Sequence, residues 1–249
     1  MMPDQVTAAA NLLVQARRTG TPIPELPESC RPATMADAHA IQDAVTRQLD
    51  RPVAAFKANA PPGDEPNRGV IYDVYSSPAR VPASQVPLCG VEGEVAFRFT
   101  RDLPPRVTSY TRDEVTAAVD ACAAIEVVHS RYQDHAARSF FEKLADCISN
   151  GAFVPAAIRP GWQSLDLGEL HVTLHVNGET VLEQDGGHPS GDPIGVAVAL
   201  VNMMRSGSGV RAGQYVTCGS CTGLRFLKPG DTCTVTFDGL GSAEITFTG

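Results

Sequence analysis

Apolar positions at Val6, Ala9, Leu12, Leu13 and Ala16 recur at close to the helical period and predict a helix over residues 5–18. Gly20 and the proline-rich stretch Pro22 to Pro32 end it. Thr34 then opens a second helix. Asp37 stands three residues on, as in a capping box, and Ala38, Ile41, Val45 and Leu49 keep the period. From Pro52 the pattern changes. Val53-Ala54-Ala55-Phe56 is a short apolar run suited to a buried strand, and residues 58–68 read as a polar, proline-containing loop. Val70 to Tyr75 and Val91 to Thr100 read as strands. Thr111 to Glu114 forms a capping box for a helix predicted to run to about Ala121, followed by a strand from Ala123 to Val128. Leu170–Asn177, Tyr215–Thr217, Thr232–Phe237 and Ala243–Phe247 make the C-terminal half rich in strands. One helix interrupts them, with Asp192 as N-cap, Pro193 in the first helical position and Gly207 near its end.

This order predicts an α+β protein: a single domain, 1–249, whose helical N-terminal part (1–50) packs on a β-rich core (51–249) of mixed, mainly antiparallel sheets with flanking helices. The 22 Gly and 19 Pro agree with many turns rather than a helical bundle. A formal charge of −8 argues against nucleic acid as a partner, since phosphate neutralisation needs a basic surface. The most apolar stretch, Val196 to Met204, is too short to span a bilayer. Seven cysteines without an export signal read as reduced thiols of a cytoplasmic protein.

Two segments carry candidate chemistry. Side chains alternate along a strand, so Glu92 and Glu94 of Val91-Glu92-Gly93-Glu94-Val95 point the same way. They are either a solvated face or half of a site for a hard divalent cation. Glu126 tips the balance, because it stands inside the apolar run Ala123 to Val128, and a buried carboxylate needs a cation or a proton. Three carboxylates from two strands suit Mg²⁺ or Mn²⁺. Cys218-Gly219-Ser220-Cys221 is a C-x-x-C motif, but a turn and strand follow it, not the helix that would activate a thiol. His171 and His175 share a strand face and read as half-exposed positions. No nucleophile elbow, dinucleotide fingerprint or phosphate-binding P-loop is present.

Taken in order, these motifs resemble the fumarylacetoacetate hydrolase superfamily, and within it the 2-keto-4-pentenoate hydratase and 4-oxalocrotonate decarboxylase branch. The resemblance rests on Glu92-Gly93-Glu94, Arg101-Asp102-Leu103 and Glu126-Val127-Val128-His129-Ser130-Arg131. It extends to Asp37–Gln42, Ala145-Asp146, Ser149 with Gly151, and Gly187-His188-Pro189. Gly219-Ser220 with Thr222, Pro229-Gly230-Asp231 and Asp238–Ser242 complete it. It implies an enzyme: a metal-dependent hydro-lyase that adds water to a small 2-oxo-alkenoate such as 2-keto-4-pentenoate through a metal-stabilised enolate. The resemblance makes Glu92, Glu94 and Glu126 the ligands of Mg²⁺ or Mn²⁺ and Lys57 the catalytic lysine. Ser149, Ser220, Thr222 and Asn67 would contact substrate. It also implies a homo-oligomer and a possible complex with a related decarboxylase or hydratase.

The chain departs from the branch around the lysine. Lys57 is followed by Ala58-Asn59-Ala60, the segment to Gly69 is short, and Asn67 stands where hydratases place an acidic residue. Decarboxylation, C–C bond hydrolysis and a non-catalytic partner subunit are therefore the alternatives to hydration.

Overall fold

The computed structural model describes residues 1–249. Two helices, α1 (Pro3–Thr19) and α2 (Met35–Leu49), come first. Thr34 caps α2 as its spacing predicts: its hydroxyl accepts from the Asp37 amide at 3.1 Å, and Asp37 accepts in return from the Thr34 amide. The chain then forms β1 (Ala55–Asn59), β2 (Asn67–Ile71), β3 (Ala79–Pro82), β4 (Gly90–Phe99), α3 (Arg112–Thr116), β5 (Val119–Val128), α4 (Phe140–Ala145) and β6 (Asn150–Pro155). It ends with β7 (His171–Val176), β8 (Glu179–Asp185), α5 (Pro193–Met204), β9 (Tyr215–Ser220), β10 (Arg225–Phe226), β11 (Thr232–Phe237) and β12 (Gly241–Thr248).

The strands form two sheets. The larger runs β2-β1-β9-β4-β5-β6 with β10 added on β4, and the smaller runs β3-β12-β11-β7-β8. Only β1–β9 and β3–β12 are parallel, in keeping with the mixed, mainly antiparallel expectation.

Strand alternation sorts the side chains of β4. Val91, Val95, Phe97 and Phe99 enter the main apolar core, shared with Val235 and Phe237 of β11. Gly93 lies in this row because the sheets approach too closely there for a side chain. A Cβ on it would sit 2.6 Å from Val235 Cγ2. Glu92, Glu94 and Ala96 point to the other face, where Ala55, Ile71, Ala96, Cys122, Ala124 and Phe153 form a thin apolar layer. A third core, around Leu13, Ile41 and Leu144, packs α1 and α2 against α4. Gln42 of α2, fully buried, donates to the Arg68 carbonyl of β2 at 2.9 Å and also to the Leu144 carbonyl. No helix is long and apolar enough to cross a membrane.

Several boundaries differ from the sequence pattern. The first strand is Ala55–Asn59 rather than Val53–Phe56, so Lys57 sits mid-strand, hydrogen-bonded into the β1–β2 hairpin. The hairpin also takes Asn67 and Arg68 out of the expected loop. The helix opened by Thr111 stops at Thr116 instead of Ala121, because Val119–Val128 forms a ten-residue ladder with β4. That ladder, with β6 on the other side, pairs the backbone of the segment, which helix propensity cannot outweigh. Helix α4 and strands β3, β6, β8 and β10 carry no strong period and go unread in the sequence. Strand β8 had a readable signal, since Asn177-Gly178 is a two-residue hairpin turn with φ of 53° and 84°. His171 lies half-exposed on β7, and its Nδ1 sits 2.7 Å from Asp185 Oδ1 on β8.

Candidate metal centre

Glu92 and Glu126 face each other across the β4–β5 ladder, and Glu94 follows on the same face. Oxygen atoms of the three carboxylates lie within 4.8 Å of one another. Glu126 is fully buried, Glu94 nearly so and Glu92 half-buried. Like charges directly opposite in a sheet are destabilising, and burial worsens the cost. One cation faces them: Lys57 Nζ lies 2.7 Å from Glu126 Oε1. Three carboxylates against one ammonium leave an excess of negative charge.

The other contacts hold Glu94 and Glu126 in place and leave one buried oxygen of Glu126 without a partner. Glu94 Oε2 accepts from the Thr217 hydroxyl and, at 2.8 Å, from the Gly219 amide. Gly219 has φ of 117°, a region open to glycine, where β9 bulges against β4. Glu126 Oε1 accepts from Asn150 Nδ2 at 3.1 Å as well as from Lys57, while Glu126 Oε2 is buried with no partner. Burial, then Glu126 and Glu92, push the Glu94 carboxyl up to about 8. Burial and Glu126 also raise Glu92, against the pull of Lys57. For Lys57, burial works toward a lower value, but Glu126, Glu92 and Glu94 together outweigh it and raise the ammonium. An orphaned carboxylate oxygen among three hard oxygen donors fits a divalent cation of the Mg²⁺, Mn²⁺ or Ca²⁺ kind.

The remaining expected residues divide. Lys57 donates also to the Ile148 carbonyl at 3.2 Å. Ser220 pairs with Glu94 across the β4–β9 ladder, and its buried hydroxyl lies beside the Glu92 carboxylate without a well-formed hydrogen bond. Asn67 pairs with Asn59 across the hairpin, and its Oδ1 accepts from Asn59 Nδ2 at 3.4 Å. Thr222, expected to contact substrate, has its hydroxyl engaged with the backbone. Its hydroxyl accepts from the Gly93 amide at 2.8 Å and donates to the Gly223 carbonyl, so it pins the backbone between Glu92 and Glu94. Ser149 is buried in a turn whose carbonyl accepts from the His129 amide.

That turn is the main feature the sequence reading missed. Cys147, Ile148 and Ser149 have φ of 56°, 53° and 57°, three consecutive non-glycine residues in the left-handed region. Such a position is a genuine outlier for β-branched Ile148. Arg131 holds the turn closed: its side chain bonds the Asp146 carboxylate, the Asp146 carbonyl at 2.9 Å and the Asn150 carbonyl at 2.7 Å. The strain therefore sits between Lys57, which bonds Ile148, and Asn150, which bonds Glu126. Only the spacing of Arg131, Asp146 and Asn150 marks it in the sequence. The seven cysteines are all free and buried, and burial, with Glu94 and Cys221 nearby, raises the Cys218 thiol well above its ordinary value.

Residues 42–248 match the family model described as fumarylacetoacetate (FAA) hydrolase C-terminal. The chain belongs to the fumarylacetoacetate hydrolase family. A 2-keto-4-pentenoate hydratase of Paraburkholderia xenovorans is 31% identical over 262 residues, covering 99% of this chain and 96% of that protein. The 4-oxalocrotonate decarboxylase of Pseudomonas putida G7, solved with magnesium and adipate, superposes with a TM-score of 0.81 at 23% identity, covering 99% and 98% of the two chains. A fumarylpyruvate hydrolase of Pseudomonas aeruginosa, solved with Mn²⁺ and pyruvate, gives a TM-score of 0.55 at 13% identity, covering 78% of this chain and 88% of that one. A hydratase-like chain thus shares its fold with a decarboxylase and a hydrolase.

Proposed function

We propose that the protein is a divalent-metal-dependent hydro-lyase that adds water to a small 2-oxo-alkenoate of the 2-keto-4-pentenoate type. The observation that carries the reading is the convergence of Glu92, Glu94 and Glu126, with Glu126 Oε2 unpartnered, on a chain that aligns end to end with a hydratase. In this reading the three glutamates hold Mg²⁺ or Mn²⁺. A cation so held supplies Lewis-acid polarisation of the 2-oxo acid and offsets the negative charge that develops on its enolate.

The protein's own groups do the rest. Thr217 and the Gly219 amide fix one oxygen of Glu94, so that carboxylate is oriented before anything binds. An ammonium has three donors, and Lys57 spends two on Glu126 and Ile148. The third is left to hold substrate or to deliver a proton at the carbon skeleton. Ser220 offers a buried hydroxyl beside Glu92. Asn67, amide rather than acid, leaves Lys57 without a second carboxylate along the hairpin. The proposal includes a cytoplasmic homo-oligomer, which sedimentation measures directly.

The test is loss of dienol absorbance on incubating 2-hydroxypenta-2,4-dienoate with protein and Mg²⁺ or Mn²⁺, read against chelator. Metal-dependent turnover supports hydration. The 0.81 superposition on a decarboxylase favours one second reading, so 4-oxalocrotonate runs in parallel. Turnover of that substrate alone would replace hydration by decarboxylation, and turnover of neither with normal metal binding would favour a partner subunit.

A further inference from the structure

Away from the carboxylates lies a cavity of about 320 Å³ with a different character. It opens where the end of α1, the α2–β1 connection and the ends of β2 and β5 meet. None of Lys57, Glu92, Glu94, Glu126 or Ser220 lines it. Four arginines do (Arg17, Arg18, Arg51 and Arg131), and Asp73 is the one acidic residue in its wall.

The internal pairing leaves a surplus of positive charge. Arg51 is committed to Asp73, at 2.6 and 3.3 Å. Arg131 is committed to Asp146, behind the wall. Arg17 reaches the same Asp146 only at 3.5 Å, and its Nε and Nη2 are buried with no hydrogen-bond partner. Arg18 bonds a backbone carbonyl, that of Gln48, so its charge is unmatched. Four guanidiniums thus meet two carboxylates. Arg17 and Arg51 both lie against the Tyr72 ring, 5.5 and 5.7 Å from its centre. Two like charges drawn to one ring repel unless a counter-charge joins them. His129 lines the same cavity with a buried Nδ1 that also lacks a partner. Burial first, then Arg131 and Arg17, push its imidazole down to about 4 against the pull of Asp146. In a chain of net charge −8 this concentration of guanidinium is local. The guanidinium fork matches the planar or tetrahedral oxygens of carboxylate and phosphate.

We propose that this cavity is a binding site for a compact dianion, a phosphate group or a small dicarboxylate, gripped by Arg17, Arg18 and Arg51 and separate from the carboxylate centre. The site does not depend on the reaction assigned above, so failure of one leaves the other standing.

Calorimetric titration of metal-stripped protein at low ionic strength with inorganic phosphate, and separately with succinate, tests it. Saturable binding of at least one is expected. Phosphate alone identifies a phosphate-bearing ligand, succinate alone a dicarboxylate, and both together a site that reads charge. Arg17→Gln is expected to weaken binding by about tenfold, the loss of a charged hydrogen bond. Arg18 is exposed and Arg51 half-exposed. Arg18→Gln and Arg51→Gln therefore report even if Arg17→Gln does not fold, and each is expected to weaken binding several-fold. Glu126→Gln is expected to leave binding unchanged. Absence of saturation by either anion up to about 20 mM, weaker than any site of this charge should be, overturns the proposal. So does binding that survives all three arginine variants or disappears with Glu126→Gln.

Discussion

Cation binding at the three glutamates should expel a proton, and Glu94 is where it comes from. Burial beside Glu126 and Glu92 raises that carboxyl to about 8, so in metal-free protein at pH 7 about nine-tenths of Glu94 is protonated. A ligating carboxylate must be ionised. Binding at pH 7 should then release close to one proton, and affinity should rise by about tenfold per pH unit up to pH 8 before levelling. Stability moves the opposite way. The folded state favours the protonated form, so the contribution of Glu94 to the stability of metal-free protein is full below the ordinary carboxylate value of about 4.5 and is lost as pH rises from there to about 8. Taken alone, Glu94 would account for a loss on the order of 5 kcal/mol across that window. The assay is calorimetric titration with Mn²⁺ in PIPES, HEPES and Tris at pH 7, whose ionisation enthalpies differ. The slope of observed enthalpy against ionisation enthalpy counts the protons. Melting curves of metal-free and loaded protein from pH 5 to 8.5 should diverge as pH rises. A proton count near zero, with parallel melting curves, would refute the reasoning.

Glu126→Gln removes one charge with little change of shape, and Mn²⁺ affinity should fall at least about a hundredfold while the melting profile stays cooperative; equal affinity in calorimetry would remove the residue from the site. Lys57→Met should keep metal binding but lower turnover about a hundredfold or more on any accepted substrate, whereas a rate within about twofold of wild type would assign the proton chemistry elsewhere. Changing Cys218 and Cys221 together to Ser should leave metal affinity and turnover intact and lower stability by about 1–3 kcal/mol, because both thiols are buried; activity that follows their oxidation state would contradict this. Arg131→Met strands Asp146 in the interior and should cost about 3–5 kcal/mol in urea unfolding, a loss that a solvated arginine would not produce.

The carboxylates were legible because their signal is local. Two glutamates at the strand period leave a solvated face open, the charged residue in an apolar strand weighs toward a site, and the β4–β5 register brings Glu92 opposite Glu126. The N-terminal helices were legible for a similar reason, since capping and period are written within a few residues. What holds Lys57 against Glu126 was not. The lysine is positioned by a hairpin whose second strand begins inside an apparent loop, by a parallel partner about 160 residues later in β9, and by the Ile148 carbonyl on a left-handed turn. No propensity favours that turn. It exists because Arg131, Asp146 and Asn150 over-determine it, and their contacts are a property of the assembled fold. The arginine cavity lies beyond local reading for the same reason. Its four cations come from three separate stretches of chain, each an ordinary solvated arginine in sequence, and only their meeting leaves Arg17 short of partners. Chemistry carried by a residue's own neighbours in sequence can be read early; chemistry that depends on which charges the fold leaves unpaired requires the structure.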